Sequence, residues 1–103
     1  MVKRYLLLLA FFFTLGMSNL YSKETYHLVL YSNPNCPYCQ KVLHYLQKEG
    51  KSLPIKNTQD KKNKENLIKI GGKSQVPCLI INGEPLYESS QILEWLKTHK
   101  NAY

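Results

Sequence analysis

Several things are scarce in this chain of 103 residues. Its three cysteines are too few for a small scaffold stapled by several disulfides. Acidic residues number 7 against 14 Lys and Arg, so the formal net charge is +7, which admits an anionic partner and names none. The length excludes a multidomain enzyme and any barrel of about 250 residues. Internal repeats and low-complexity runs are absent. Phenylalanine occurs at residues 11–13 and nowhere after them. With 44% hydrophobic and 20% charged residues, the composition is that of a folded domain and not of a disordered chain.

What is present is unevenly spread. Lys3 and Arg4 precede an apolar run from Tyr5 to Met17, which fits a basic n-region and an h-region of about 7–15 residues. Gly16 and Ser18 supply small residues for cleavage after Ser18. Residues 1–18 therefore read as a signal peptide or N-terminal anchor, and residues 19–103 as one domain. The expected location is extracytoplasmic; a start at Met17 would leave the domain in the cytoplasm. A membrane span of about 20 apolar residues is reached only by including Ser18 and Asn19.

Within the domain, Tyr26–Tyr31 is an apolar run of β-formers, closed by Ser32-Asn33-Pro34-Asn35. Cys39, Val42, Leu43 and Leu46 fall on one helical face, with Pro37 at a first-turn position and Gly50 as a stop. Leu53–Asn57 reads as a second strand. Residues 60–70 form a lysine-rich, mostly solvated helix, and Val76–Ile81 a third strand. Asn82-Gly83 is a hairpin turn, returning through Leu86 and Tyr87. Ser89 is placed to cap a last helix carrying Ile92, Leu93 and Leu96. The order is β-α-β-α-β-β-α, an α/β domain.

The chemistry concentrates at Cys36-Pro37-Tyr38-Cys39, between a strand and a helix. A thiol attacks as its thiolate, and the unpaired amides of a helix N-terminus favour that charge. Cys36 stands at that end; Cys39, one turn further in, shares its helix face and is expected to be more buried. Cys36 would attack a substrate disulfide, and Cys39 would resolve the mixed disulfide. A zinc site would need a second ligand pair, for which only Cys78 and His44 are on offer. A permanently closed structural disulfide is the other bland alternative.

Cys36–Cys39 after an apolar strand, followed by Val76-Pro77, resembles the dithiol glutaredoxins over residues 26–98. The resemblance implies a thioredoxin-like fold with a four-stranded mixed sheet flanked by helices. It implies a glutathione-disulfide oxidoreductase with Cys36 as nucleophile and Cys39 as resolving thiol. Glutathione would be the co-substrate, with no metal, and disulfide-bearing or glutathionylated proteins the partners of a monomer. Tyr38 would line the glutathione groove, Pro77 would be a cis proline, and Val76 would pair its backbone with the peptide. Gly83, Leu86, Tyr87, Glu88, Ser89 and Ile92 resemble the N-terminal domain of glutathione transferases. That implies Glu88 at the glutathione amine, and Ser89 with the helix amides at its carboxylate. Asn33 departs from the lysine many glutaredoxins carry there, and Gln75 from their threonine. Cys78 reads as core.

Two rival functions remain open in the sequence. One is an exported disulfide oxidase or isomerase, distinguished by its reduction potential. The other is a non-enzymatic module that binds glutathione or an iron–sulfur cluster. The lysines at 61, 62, 64 and 69 lack interleaved aromatics, so nucleic acid is not an expected partner. A membrane is met only through residues 1–18, if they are retained.

Overall fold

The computed structural model describes residues 25–103; the segment read as a leader lies outside them. The elements are β1 (Leu28–Ser32), α1 (Pro37–Lys48), β2 (Ile55–Asn57), α2 (Lys61–Gly71), β3 (Cys78–Ile81), β4 (Glu84–Tyr87) and α3 (Ser89–Thr98). A short 3-10 turn, Lys100–Ala102, follows. The strands form one sheet in the order β2-β1-β3-β4. β2 runs parallel to β1, while β3 is antiparallel to both β1 and β4. A parallel pair needs a crossover connection, and α1 supplies it. The mixed four-stranded sheet with flanking helices is the expected thioredoxin-like architecture.

Side-chain alternation in β1 divides the core. Leu28 and Leu30 join Leu79 on one face, where Val42 and Leu46 of α1 and Ile92 and Leu96 of α3 cover them. Tyr31 points to the other face with Cys78 and Ile80, and there Leu67 of α2 packs. α2 contributes one buried residue, Leu67, in keeping with its lysine-rich sequence. Asp60 caps it by accepting from the Lys62 amide at 2.9 Å, and Gly72, at φ +81°, ends it. Asn82 and Gly83 turn β3 into β4 with φ values of +49° and +86°, as a two-residue hairpin requires.

Four boundaries differ from the sequence reading. β1 begins at Leu28 and runs on through Ser32, whose carbonyl accepts from the Thr58 amide at 2.9 Å. β2 begins at Ile55: Pro54 has no amide to give, although its carbonyl accepts from Leu30 at 2.9 Å. β3 begins at Cys78, because Pro77 likewise has no donor. The Val76–Pro77 bond is cis. Ser89 does not cap α3. Glu88 holds that position, and Ser89 is the first helical residue.

Candidate functional site

The turn after β1 builds the site. The Cys36 amide donates to the Asn33 carbonyl at 3.0 Å, and the Asn35 amide to Asn33 Oδ1 at 2.9 Å. This folds Asn33–Asn35 back and delivers Cys36 to the N-cap of α1 in an extended conformation, φ −100° and ψ 112°. Pro37 follows in the first turn, where its missing donor costs the helix nothing. The Cys39 amide donates to Cys36 Sγ at 3.1 Å. The sulfur thus occupies the place of a capping oxygen, and an amide donor there stabilises negative charge. Cys36 is half-buried, and its thiol lies 3.8 Å from the Val76 carbonyl oxygen.

Cys39 lies beneath it, with no exposed surface. Burial is the main cause that pushes its thiol up to about 11, and its hydrogen bond with Cys36 adds to this. The Asn33 backbone and the Ser32 side chain act in the opposite direction. Cys39 therefore keeps its proton at neutral pH. The two cysteines share a helix end but differ in access, as their spacing implies. Both are free thiols, as is Cys78.

A groove of about 540 Å³ lies beside this pair. Tyr38 and Lys41 line it from α1, Gln75, Val76 and Pro77 from the segment entering β3, and Glu88, Ser89 and Ser90 from the start of α3. Cys36 meets the groove through the Val76 carbonyl. Tyr38 is 59% exposed, so its ring is open to a ligand, and the Lys41 ammonium lies 5.2 Å from the ring centroid. Gln75 Nε2 donates to Glu88 Oε2 at 3.0 Å. The groove thus carries a cation, an anion and a helix N-terminus along with its apolar surface.

Of the site residues expected from the sequence, Tyr38, Val76, Pro77, Glu88 and Ser89 line the groove, Cys36 meets it beside the Val76 carbonyl, and Cys39 lies buried beneath Cys36. Cys78 stands apart. It is fully buried in the core under α2, and burial pushes its thiol up. His44 is exposed on α1. Three contributors had no role in the sequence reading. Lys41 carried a usable signal, being three residues from Tyr38 and so on the same helix face. Gln75 stood out only as a departure from threonine. Ser32 is a strand-end residue whose position under Cys39 depends on where β1 stops.

The fold and groove define a thioredoxin-like domain. The chain belongs to the family of glutathione S-transferase N-terminal domains, whose model matches residues 30–102. No curated protein sequence matches the chain. Among solved structures it is similar to the holo form of glutaredoxin C1 from Populus tremula x tremuloides, with a TM-score of 0.55 and 20% identity over 72% of this chain and 77% of that one. A mutant of a thioredoxin-like protein matches with a TM-score of 0.59 at 20% identity, covering 71% of this chain and 97% of its own. A glutaredoxin from Archaeoglobus fulgidus matches with a TM-score of 0.53 at 22% identity, covering 69% and 86%. At these identities the likeness is one of fold.

Proposed function

We propose that the protein is a glutathione-dependent thiol–disulfide oxidoreductase that reduces protein disulfides and glutathione mixed disulfides. The observation that carries this reading is the Cys36 sulfur at the N-cap of α1, holding an amide donor at 3.1 Å and lying 3.8 Å from the Val76 carbonyl at the groove. An attacking sulfur needs access and a donor, and Cys36 has both; Cys39 is buried and protonated. The family match and the glutaredoxin neighbours agree with this chemistry.

The Cys36 thiolate attacks one sulfur of a substrate disulfide. A new S–S bond forms, the old one breaks, and the departing sulfur takes a proton from water. With a glutathione mixed disulfide, the glutathione stays on Cys36. A second glutathione thiolate then attacks the glutathione sulfur of that adduct, releasing oxidised glutathione and restoring Cys36. With a protein disulfide, Cys39 gives up its proton and attacks Cys36. That step releases the reduced protein and leaves a Cys36–Cys39 disulfide, which two glutathiones reduce. The protein-disulfide cycle moves two electrons from two glutathiones to one disulfide; the mixed-disulfide cycle consumes one free glutathione, because the other half of the oxidised glutathione comes from the substrate. The tripeptide lies in the groove with its cysteinyl part against Val76, its amine at Glu88, and its γ-glutamyl carboxylate at Ser89 and the first amides of α3. Lys41 offers a cation to its other carboxylate. The domain acts as a monomer after export, with residues 1–18 as its leader; the N-terminal residue of the mature protein tests that location.

The test is the glutathione-driven reduction of a small glutathione mixed disulfide. Wild type turns over, and Cys36→Ser loses at least 100-fold in kcat/KM. If Cys36→Ser is as active as wild type, the assignment is wrong.

A further inference from the structure

Glu88 is built in an unusual way. It is one of two non-glycine residues with positive φ among those described, at +70°, a conformation that side chains rarely adopt. Such strain persists where surrounding structure holds it, and it clusters at functional sites. Glu88 is also the N-cap of α3, where an acidic side chain ordinarily folds onto its own helix amides. It makes no such capping bond. Its carboxylate is engaged instead by Gln75, thirteen residues away, through Nε2 to Oε2 at 3.0 Å. Both residues line the groove.

The Glu88 carboxylate therefore does not cap the first amides of α3, and Gln75 bonds to it instead. A carboxylate accepts only; bonded at one oxygen by a neutral amide, it still has a second oxygen to offer. Its natural complement is an ammonium group.

We infer that Gln75 is a positioning residue, which holds the Glu88 carboxylate at the groove so that the site selects thiols carrying an ammonium group. The inference rests on the glutathione reading above and adds to it the origin of the selectivity. Gln75 and Glu88 are both exposed, so the hydrogen bond between them is modest, and loss of Gln75 should loosen Glu88 without dislodging it. Lysine at 75 would pair with the carboxylate and cancel its charge; alanine merely frees it.

The experiment compares glutathione with glutaryl-cysteinyl-glycine, which keeps both carboxylates and the thiol and lacks only the ammonium group. Each serves as reductant of the same small disulfide, at fixed pH and salt. Wild type should favour glutathione by at least about 10-fold in kcat/KM. Gln75→Ala should raise KM for glutathione about 3- to 5-fold with little change in kcat, and change KM for the analogue less than 2-fold. Gln75→Lys should reduce the preference further, as Glu88→Gln should. A thermal midpoint for each variant within a few degrees of wild type identifies the folded ones, and the remaining variants still decide. Equal losses for both reductants in Gln75→Ala would overturn the inference, because a structural role does not distinguish them. Wild type that uses both reductants equally would overturn it too, with the oxidoreductase reading intact. Wild type that uses neither would sink both.

Discussion

At the scale of the residue, Cys36 and Cys39 show how three positions of separation make two different thiols. One is the N-cap, half-buried, with an amide on its sulfur. The other is fully buried and pushed up to about 11. The raised thiol has a consequence for stability. Unfolded, Cys39 would ionise near the ordinary value of about 8.5. Folded, it holds its proton to about 11. Between those values the native state binds more protons than the unfolded one, so stability is full below the lower value and falls as pH rises. The reduced protein should therefore unfold at lower urea concentration at pH 10 than at pH 8. Cys39→Ser, which has no thiol to ionise, should lose less over the same interval. An equal loss in both would assign the alkaline sensitivity elsewhere. The pair was legible in the sequence because C-x-x-C between a strand and a helix fixes its own local geometry. Gln75 was not, because its partner Glu88 is thirteen residues away and the contact needs both β4 and the positive φ at Glu88.

At the scale of the element, α2 is anchored by little. Leu67 is its one buried residue, and Ile68 and Ile70 remain exposed. Its last residue, Gly71, packs closely against β4: a Cβ there would run into the Tyr87 hydroxyl. Alanine in a helix is better than glycine by about 1 kcal/mol, whereas forcing atoms into a packed region costs about 1–3 kcal/mol. The collision should win. Gly71→Ala should lower stability by roughly 1 kcal/mol in denaturant unfolding, and Gly71→Ala with Tyr87→Phe should recover most of it. A more stable single variant would show that Tyr87 yields freely. Of the Gly71-Gly72 pair, Gly72 ends the helix, at φ +81°. The reason for Gly71 is a contact made by a strand sixteen positions on, which no local pattern contains. The first and third strands were found for the opposite reason: the apolar runs Tyr26–Tyr31 and Val76–Ile81 are local signals. Their edges shifted where a proline withdrew a donor or a neighbouring strand ran on.

At the scale of the whole molecule, burial is spread over several groups that are neutral when protonated. Tyr31, Cys39, Cys78, Tyr87 and Tyr103 are all raised, each chiefly by burial. Each acts with the same sign, so the fold as a unit should lose stability progressively above about pH 8.5. The C-terminus belongs to this unit. Lys51 Nζ donates to the backbone oxygens of Lys100 and Tyr103, both at 3.2 Å, and the Tyr103 hydroxyl donates to the Leu96 carbonyl at 2.9 Å. The 3-10 turn is thereby tied to the chain between α1 and β2. Nothing in the sequence announced it, because it depends on a single lysine about fifty residues earlier.

The proposed function makes Cys36 the sulfur that receives glutathione. Cys39→Ser removes the resolving thiol, so an adduct on Cys36 should persist. Reduced Cys39→Ser would be treated with oxidised glutathione and read by intact and peptide mass spectrometry. One glutathione per chain is expected, on Cys36, with Cys78 left as a free thiol. No adduct, or an adduct on Cys78 with Cys36 free, would contradict it.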